Sequence, residues 1–201
     1  MAADTAYYYT VEAVNAAGSS PASSEATATT TALPVAAVSS FTVNDGSAQR
    51  SMVTSVTVTF NQAVTLQTGA ITLGLNGGGS ITTIVTNPSG DNTTFLITFS
   101  GTGTSYGSLN DGRYTLTVHA ALVQNADGQA MAADSTFGFF RLFGDLDGDG
   151  VVNGYDYLLF RAAYGKSVGQ SGYQAAFDYN GDGVINGLDY LEFRLRYGMT
   201  I

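Results

Sequence analysis

Twelve residues near the C-terminus, Asp145-Leu146-Asp147-Gly148-Asp149-Gly150-Val151-Val152-Asn153-Gly154-Tyr155-Asp156, recur 33 positions later as Asp178-Tyr179-Asn180-Gly181-Asp182-Gly183-Val184-Ile185-Asn186-Gly187-Leu188-Asp189. Oxygen-bearing side chains stand at positions 1, 3, 5, 9 and 12 of both copies. They are Asp145, Asp147, Asp149, Asn153 and Asp156, then Asp178, Asn180, Asp182, Asn186 and Asp189. Position 6 is glycine in both, Gly150 and Gly183. Oxygens at this spacing around a central glycine form the pattern of a twelve-residue calcium loop. Calcium takes about 6–8 oxygens at roughly 2.3–2.6 Å, so the backbone must present one at about every second residue. Glycine at position 6 admits the sharp turn that a Cβ would block. Position 7 supplies a backbone carbonyl, which leaves the side chains of Val151 and Val184 free to be apolar. Val152 and Ile185, at position 8, are expected to meet each other across a short strand contact. Asp156 and Asp189 are read as bidentate ligands that close the loops and start the helices behind them. Ordinary Asp/Gly turns are common in loops, but they do not account for all five oxygen positions being filled twice.

Each loop runs into a short apolar stretch, Tyr157–Tyr164 ending at Gly165 and Tyr190–Tyr197 ending at Gly198. Both read as helices stopped by a C-terminal glycine. Neither loop has a convincing helix before it, so the unit is loop–helix, used twice, rather than helix–loop–helix. Over residues 143–198 this arrangement resembles the dockerin family, small calcium modules that tether secreted proteins to cohesin domains. The resemblance implies a two-fold-like pair of helices stapled by two calcium ions. Loop positions 10 and 11, where cellulosomal dockerins often carry small hydroxyl residues that select the cohesin, are Gly154-Tyr155 and Gly187-Leu188 here. The basic residue past the middle of each helix is kept, as Arg161 and Arg194. Calcium ligation carries over residue by residue, whereas cohesin recognition carries over with less force. Tyr155, Arg161, Leu188 and Arg194 are the candidate partner-binding residues.

Seven of the sixteen acidic residues are the loop carboxylates, which account for much of the net charge of −9. Seven basic residues spread thinly through an acidic chain leave no electrostatic footprint for nucleic acid. There is no cysteine, so stability comes without disulfides and the redox compartment is not read from the sequence. No stretch is apolar and long enough to span a membrane. The opening Met1-Ala2-Ala3-Asp4 has neither the basic nor the apolar region of a signal peptide. If the protein is secreted, the chain is expected to be a processed piece, a recombinantly trimmed piece or an incomplete gene product.

Upstream of the loops the pattern is β. Tyr7–Val14 alternates with Tyr7, Tyr9, Val11 and Ala13 on one face, and Glu25–Thr31 is a weaker strand. The pair resembles the last hairpin of a fibronectin type III domain. A lone hairpin is marginal in water and leaves open strand edges. It is expected to be loose, packed on its neighbour, or completed by another molecule. Residues 1–33 are therefore a partial hairpin, 34–37 a linker, 38–143 a sandwich and 144–201 the calcium module. In the sandwich, strands are expected at Ser40–Asn44, Val53–Phe60, Ala70–Leu75, Ile81–Thr86, Thr93–Ser100, Arg113–His119 and Thr136–Phe143. Turns fall at Asn44-Asp45-Gly46, Asn76-Gly77-Gly78-Gly79, Asn87-Pro88-Ser89-Gly90 and Asn110-Asp111-Gly112. About seven short strands at this rhythm argue for a Greek-key sandwich. The run Val56-Thr57-Val58-Thr59-Phe60, with Gly112-Arg113-Tyr114-Thr115-Leu116, resembles bacterial Ig-like domains. The whole arrangement looks like the C-terminal region of large planctomycete secreted proteins. The fold class is mainly β, an Ig-like sandwich followed by a small α module, with the last strand running straight into the first loop.

Catalytic motifs are weak. Gly103-Thr104-Ser105-Tyr106-Gly107 matches the nucleophile-elbow pattern, which requires a strand-to-helix turn on a parallel sheet and here lies between β-strands. His119 is expected on the exposed face of its strand. The nine remaining acids form no convincing catalytic pair. Two functions are expected, from different classes. One is a non-catalytic extracellular protein joining copies of itself or a cohesin-like receptor through Tyr155, Tyr157, Tyr164, Leu188, Tyr190 and Tyr197. The other is the targeting region of a secreted carbohydrate-active enzyme. For the tyrosines the plainer reading is a small core between the two helices.

Overall fold

The computed structural model describes residues 4–76, 78 and 81–201. Of the expected turn at Asn76-Gly77-Gly78-Gly79, Gly77 and Gly79 lie outside them. Nine strands carry the β part: β1 Ala6–Tyr9, β2 Ala26–Thr29, β3 Val38–Val43, β4 Ser55–Phe60, β5 Ile71–Leu75, β6 Thr82–Thr86, β7 Thr94–Ser100, β8 Gly112–Val118 and β9 Ser135–Arg141. Two-residue ladders add short pairs between them. Helix α1 spans Gly154–Ala163 and α2 spans Gly187–Arg196.

Strands β3 to β9 form two facing antiparallel sheets, ordered β3-β4-β7-β6 and β9-β8-β5. All seven strands expected from the alternation are present, with ends shifted by one or two residues. The period-2 pattern explains the packing. Val56, Val58 and Phe60 on β4 oppose Ile97 and Phe95 on β7, and Tyr114, Leu116 and Val118 on β8 supply the other layer. Residues between them, such as Thr57 and Thr115, are half-buried on the outer faces. Each fully buried aliphatic or aromatic side chain contributes about 1.5–3 kcal/mol of transfer free energy. Stacking of Phe41 on Phe137, 5.0 Å between centroids, ties β3 of one sheet to β9 of the other.

The N-terminal hairpin pairs β1 with β2, Ala6 opposite Thr29 and Tyr9 opposite Ala26. The expected strand Tyr7–Val14 is broken after Tyr9. Ser23 and Ser20 hydroxyls there accept the amides of Val11 and Ala13, so side chains replace part of the ladder. Tyr8, Tyr9, Val11 and Val14 are exposed. Residues 33–37 are pinned to the sandwich. The Leu33 amide donates to Asp127, the Ala37 amide donates to Asn61, and Ala36 is buried in the core.

The C-terminal residues have their own core of Leu142, Phe143, Val152, Phe160, Ala163, Phe177, Ile185 and Phe193. Strand β9 ends at Arg141, with three residues between it and the first loop, so the two cores adjoin without a long spacer. No helix among the described residues is long and apolar enough to cross a membrane.

Candidate metal centre

The two loops have nearly the same hydrogen-bond plan. In the first, Asp145 accepts from the amides of Gly148 (2.7 Å) and Gly150 (2.9 Å). In the second, Asp178 accepts from the amides of Asp182 (3.2 Å) and Gly183 (2.8 Å). The position-12 carboxylates use both oxygens. Asp156 accepts from Leu146 (2.8 Å) and Asn153 (2.9 Å), and Asp189 accepts from Tyr179 (2.8 Å) and Asn186 (2.8 Å). Asp149 accepts from the Val151 amide and Asp182 from the Val184 amide.

One correction concerns the helix starts. Asp156 and Asp189 do not begin the helices. Gly154 and Gly187 do, two residues earlier in each copy. Asn153 and Asn186 cap them through the Tyr155 and Leu188 amides, and the Asp at N3 completes a capping box. The same asparagine and aspartate thus serve loop and helix. Gly165 and Gly198, at φ +78° and +84°, follow the helix ends as expected.

A second correction concerns position 8. Val152 and Ile185 do not pair with each other. Each pairs with the segment behind the other loop's helix. Val152 donates to Met199 (3.0 Å) and accepts from Gly198 (2.8 Å), while Ile185 donates to Lys166 (2.9 Å) and accepts from Gly165 (2.8 Å). These contacts obey the same 33-residue offset as the sequence. Loop 1 is therefore closed by the tail of α2, and loop 2 by the tail of α1. Both side chains remain fully buried beneath the loops.

Asp145, Asp156, Asp178 and Asp189 are buried. Among the described residues none of the seven loop carboxylates is in an ion pair: the pairs are His119–Asp134, Arg141–Asp111, Arg196–Asp111 and Arg196–Glu192. Burial pushes the Asp145 carboxyl up to about 6, and the nearby Asp156 and Asp149 charges push the same way, against the Gly150 and Gly148 amides. Asp156 and Asp189 are also raised, burial being the main cause. Buried carboxylates without a basic partner are costly unless a cation compensates them. One oxygen from each of Asp145, Asp147 and Asp149 lies within 4.8 Å of the others, a cluster that fits a hard cation. The second loop puts the neutral Asn180 at position 3, and its donor set of Asp178, Asn180, Asp182, Asn186 and Asp189 is equally oxygen-only.

The candidate partner residues are exposed. Tyr155 and Leu188 stand at 56% and 60% exposure, and Arg161 and Arg194 also face solvent. Tyr157, Tyr164, Tyr190 and Tyr197 line the outer helix surface, while phenylalanines rather than tyrosines fill the core. Two depressions of about 400 and 250 Å³ are formed by corresponding residues: Tyr157, Tyr190, Phe193, Arg194 and Tyr197, and Tyr190, Tyr157, Phe160, Arg161 and Tyr164.

Ser105 ends a two-residue strand and pairs with Ser108 across a turn made by Tyr106 (φ 50°) and Gly107 (φ 80°), and its hydroxyl donates to Asn110 (2.7 Å). That is not a strand-to-helix elbow. His119 lies just past β8 and is half-buried, with Nε2 2.9 Å from the Thr72 hydroxyl and Nδ1 3.4 Å from Asp134. It is a fixed junction residue rather than an exposed strand residue.

Residues outside the loops also reach them. The Tyr173 hydroxyl donates to Asp178 (2.7 Å), the Arg50 amide donates to the Asp145 carbonyl (2.9 Å), and Ser51 touches the segments before both loops. Tyr173 lies five residues before its loop and was within reach of a local reading. Arg50 and Ser51 lie about a hundred residues away and leave no local signal.

A family model described as dockerin type I domain matches residues 143–194, and one described as bacterial Ig-like domain matches residues 30–140. Among solved structures, one similar chain belongs to a type II cohesin–X-dockerin complex from Acetivibrio cellulolyticus, an N-terminal interface mutant. It is 18% identical, with 68% of this chain and 90% of that chain covered, at a TM-score of 0.27. No curated protein matches. Both matched modules are of non-catalytic kinds. The Ig-like match spans more than half of the chain, which therefore belongs to the bacterial Ig-like domain family and carries a dockerin type I module directly behind its sandwich.

Proposed function

We propose that each twelve-residue loop holds one calcium ion, and that the chain is a non-catalytic extracellular attachment module whose calcium-stabilised helix pair docks a cohesin-type receptor. The observation that carries this reading is the set of buried loop carboxylates with no basic partner among the described residues, repeated with nearly the same hydrogen-bond plan 33 residues apart. Asp145, Asp147, Asp149, the Val151 carbonyl, Asn153 and Asp156 would hold the first ion. Asp178, Asn180, Asp182, the Val184 carbonyl, Asn186 and Asp189 would hold the second. The ion supplies positive charge that lets the acids of each loop converge, so binding and folding of the module are coupled. Loading in the range of about 10⁻⁴–10⁻³ M suits extracellular calcium.

The dockerin type I match supports protein–protein attachment as the role. The exposed tyrosines support it physically, because a large amphipathic ring gives contact area at low conformational cost. Tyr155 and Leu188, at the positions where cohesin-selecting residues stand in the resembling family, are the residues expected to set the choice of receptor, with Arg161 and Arg194 beside them.

Two measurements test this. Calorimetric titration of the full chain with calcium should give two ions per chain, and absence of heat at millimolar calcium would overturn the metal assignment. Binding to immobilised type I cohesin domains should require calcium and fall when Tyr155 and Leu188 are both replaced by alanine. Binding unaffected by chelation and by that double replacement would overturn the docking assignment.

A further inference from the structure

Ser51 belongs to the sandwich segment between β3 and β4, outside the region matched as dockerin, and it is completely buried. Its hydroxyl uses both of its hydrogen-bonding roles on the calcium module. It accepts from the Gly144 amide at 2.8 Å and donates to the Ala176 carbonyl at 2.5 Å. Gly144 directly precedes Asp145, the first ligand position of loop 1. Ala176 lies two residues before Asp178, the first ligand position of loop 2. One sandwich side chain thus joins the starts of both loops.

The backbone on either side of Ser51 adds to this grip. The Arg50 amide donates to the Asp145 carbonyl (2.9 Å), and the Arg50 carbonyl accepts from the Leu142 amide (3.0 Å). The Ala48 carbonyl packs directly on Gly148, at position 4 of loop 1. The Asp145 carboxylate is therefore presented by a backbone held from outside the module.

We propose that Ser51 is a positioning residue for calcium, coupling the two loops to each other and to the sandwich. The inference rests on the calcium reading above. A metal site binds more tightly when the chain that carries its ligands is already held in place, because less ordering accompanies binding. Partners outside the ligand set that orient it typically change metal affinity by about 10–100-fold. Ser51 holds the backbone at both first ligands, so an ion in either loop orders the hydroxyl that the other loop also uses.

The test uses the full chain and Ser51→Ala, with calcium itself as the probe. Calcium affinity is measured by calorimetry, and melting is measured with calcium and with chelator. The expected result is a fall in affinity of about tenfold, the low end for outer partners of metal ligands. The calcium-induced rise in melting temperature shrinks with it. A Ser51 that merely supports the fold would lower both melting temperatures equally and leave affinity unchanged, and that result overturns the proposal. Should Ser51→Ala fail to fold, Ser51→Cys keeps nearly the same volume with a much weaker hydrogen-bonding group, and the same criteria apply. If the unaltered chain takes up no calcium, the metal assignment falls and this inference with it. If it takes up two ions and the variants bind as tightly, only this inference falls.

Discussion

Gly148 sits so close to Ala48 that a Cβ built on it would lie 2.0 Å from the Ala48 carbonyl oxygen, while Gly181, its counterpart in the second loop, has nothing within 4 Å. Both glycines have positive φ, +76° and +69°. The two loops are alike in sequence and nearly alike in hydrogen bonding but differ at position 4, which is pressed on the Ala48 carbonyl in the first and open in the second. Gly181→Ala should cost about 1–2 kcal/mol, the strain of a left-handed residue alone. Gly148→Ala adds a backbone clash of the overpacking kind, about 1–3 kcal/mol more. Denaturant unfolding of the two variants in calcium measures the difference, and equal losses would show that the contact yields without cost.

Removal of calcium should unwind α1 and α2 and leave the sandwich folded. The module core of Phe160, Phe177 and Phe193 lies beneath the loops, whereas Val56, Ile97 and Leu116 form a separate core. Without the ions, the acids of each loop face one another unscreened. Far-ultraviolet circular dichroism in chelator should lose its helical component and keep its β component. A spectrum unchanged by chelation would count against structural calcium.

Asp111 joins the two cores. It accepts from Arg141 (2.6 Å), from the Phe143 amide (2.7 Å) and from Arg196 on α2. Both guanidiniums also lie over the Phe143 and Tyr179 rings, at 5.4–5.7 Å. Replacing Asp111 by Asn leaves Arg141 buried without its counter-charge. The expected loss is about 3 kcal/mol, in the range for breaking a buried pair on one side. Scanning calorimetry should then resolve separate melting of sandwich and module. A single transition shifted by less than a degree would mean that the cluster does not couple them.

Asp189→Asn removes one closing carboxylate and keeps its volume. Loop 2 then loses the charge that receives the Tyr179 and Asn186 amides. Calcium titration should fall from two ions per chain to one, with loop 1 retained because its own set is untouched. Retention of two ions at unchanged affinity would remove Asp189 from the ligand set.

Much of this architecture was legible because it is local. Alternation at Val56, Val58 and Phe60 and at Tyr114, Leu116 and Val118 reports burial within a strand, since side chains on a pleat change face at every residue. The loop oxygens were legible for a similar reason: their spacing repeats within twelve residues, as a short loop able to surround one cation requires. The helix starts were misplaced because Asp156 reads as the end of a loop, although as N3 of a capping box it lies within the first turn.

The sequence by itself determined the strands, the two oxygen-rich loops and the helices that follow them, because each depends on neighbours a few residues apart. Tertiary structure alone decided what closes and flanks the loops. The tail of each helix pairs with the opposite loop, at Val152 with Met199 and at Ile185 with Lys166. Asp111 reaches Arg196 across 85 residues, and Ser51 reaches Ala176 across 125. A hydroxyl or a carboxylate in a polar turn has the same composition whether it meets water or a distant backbone, and only the folded chain selects between them.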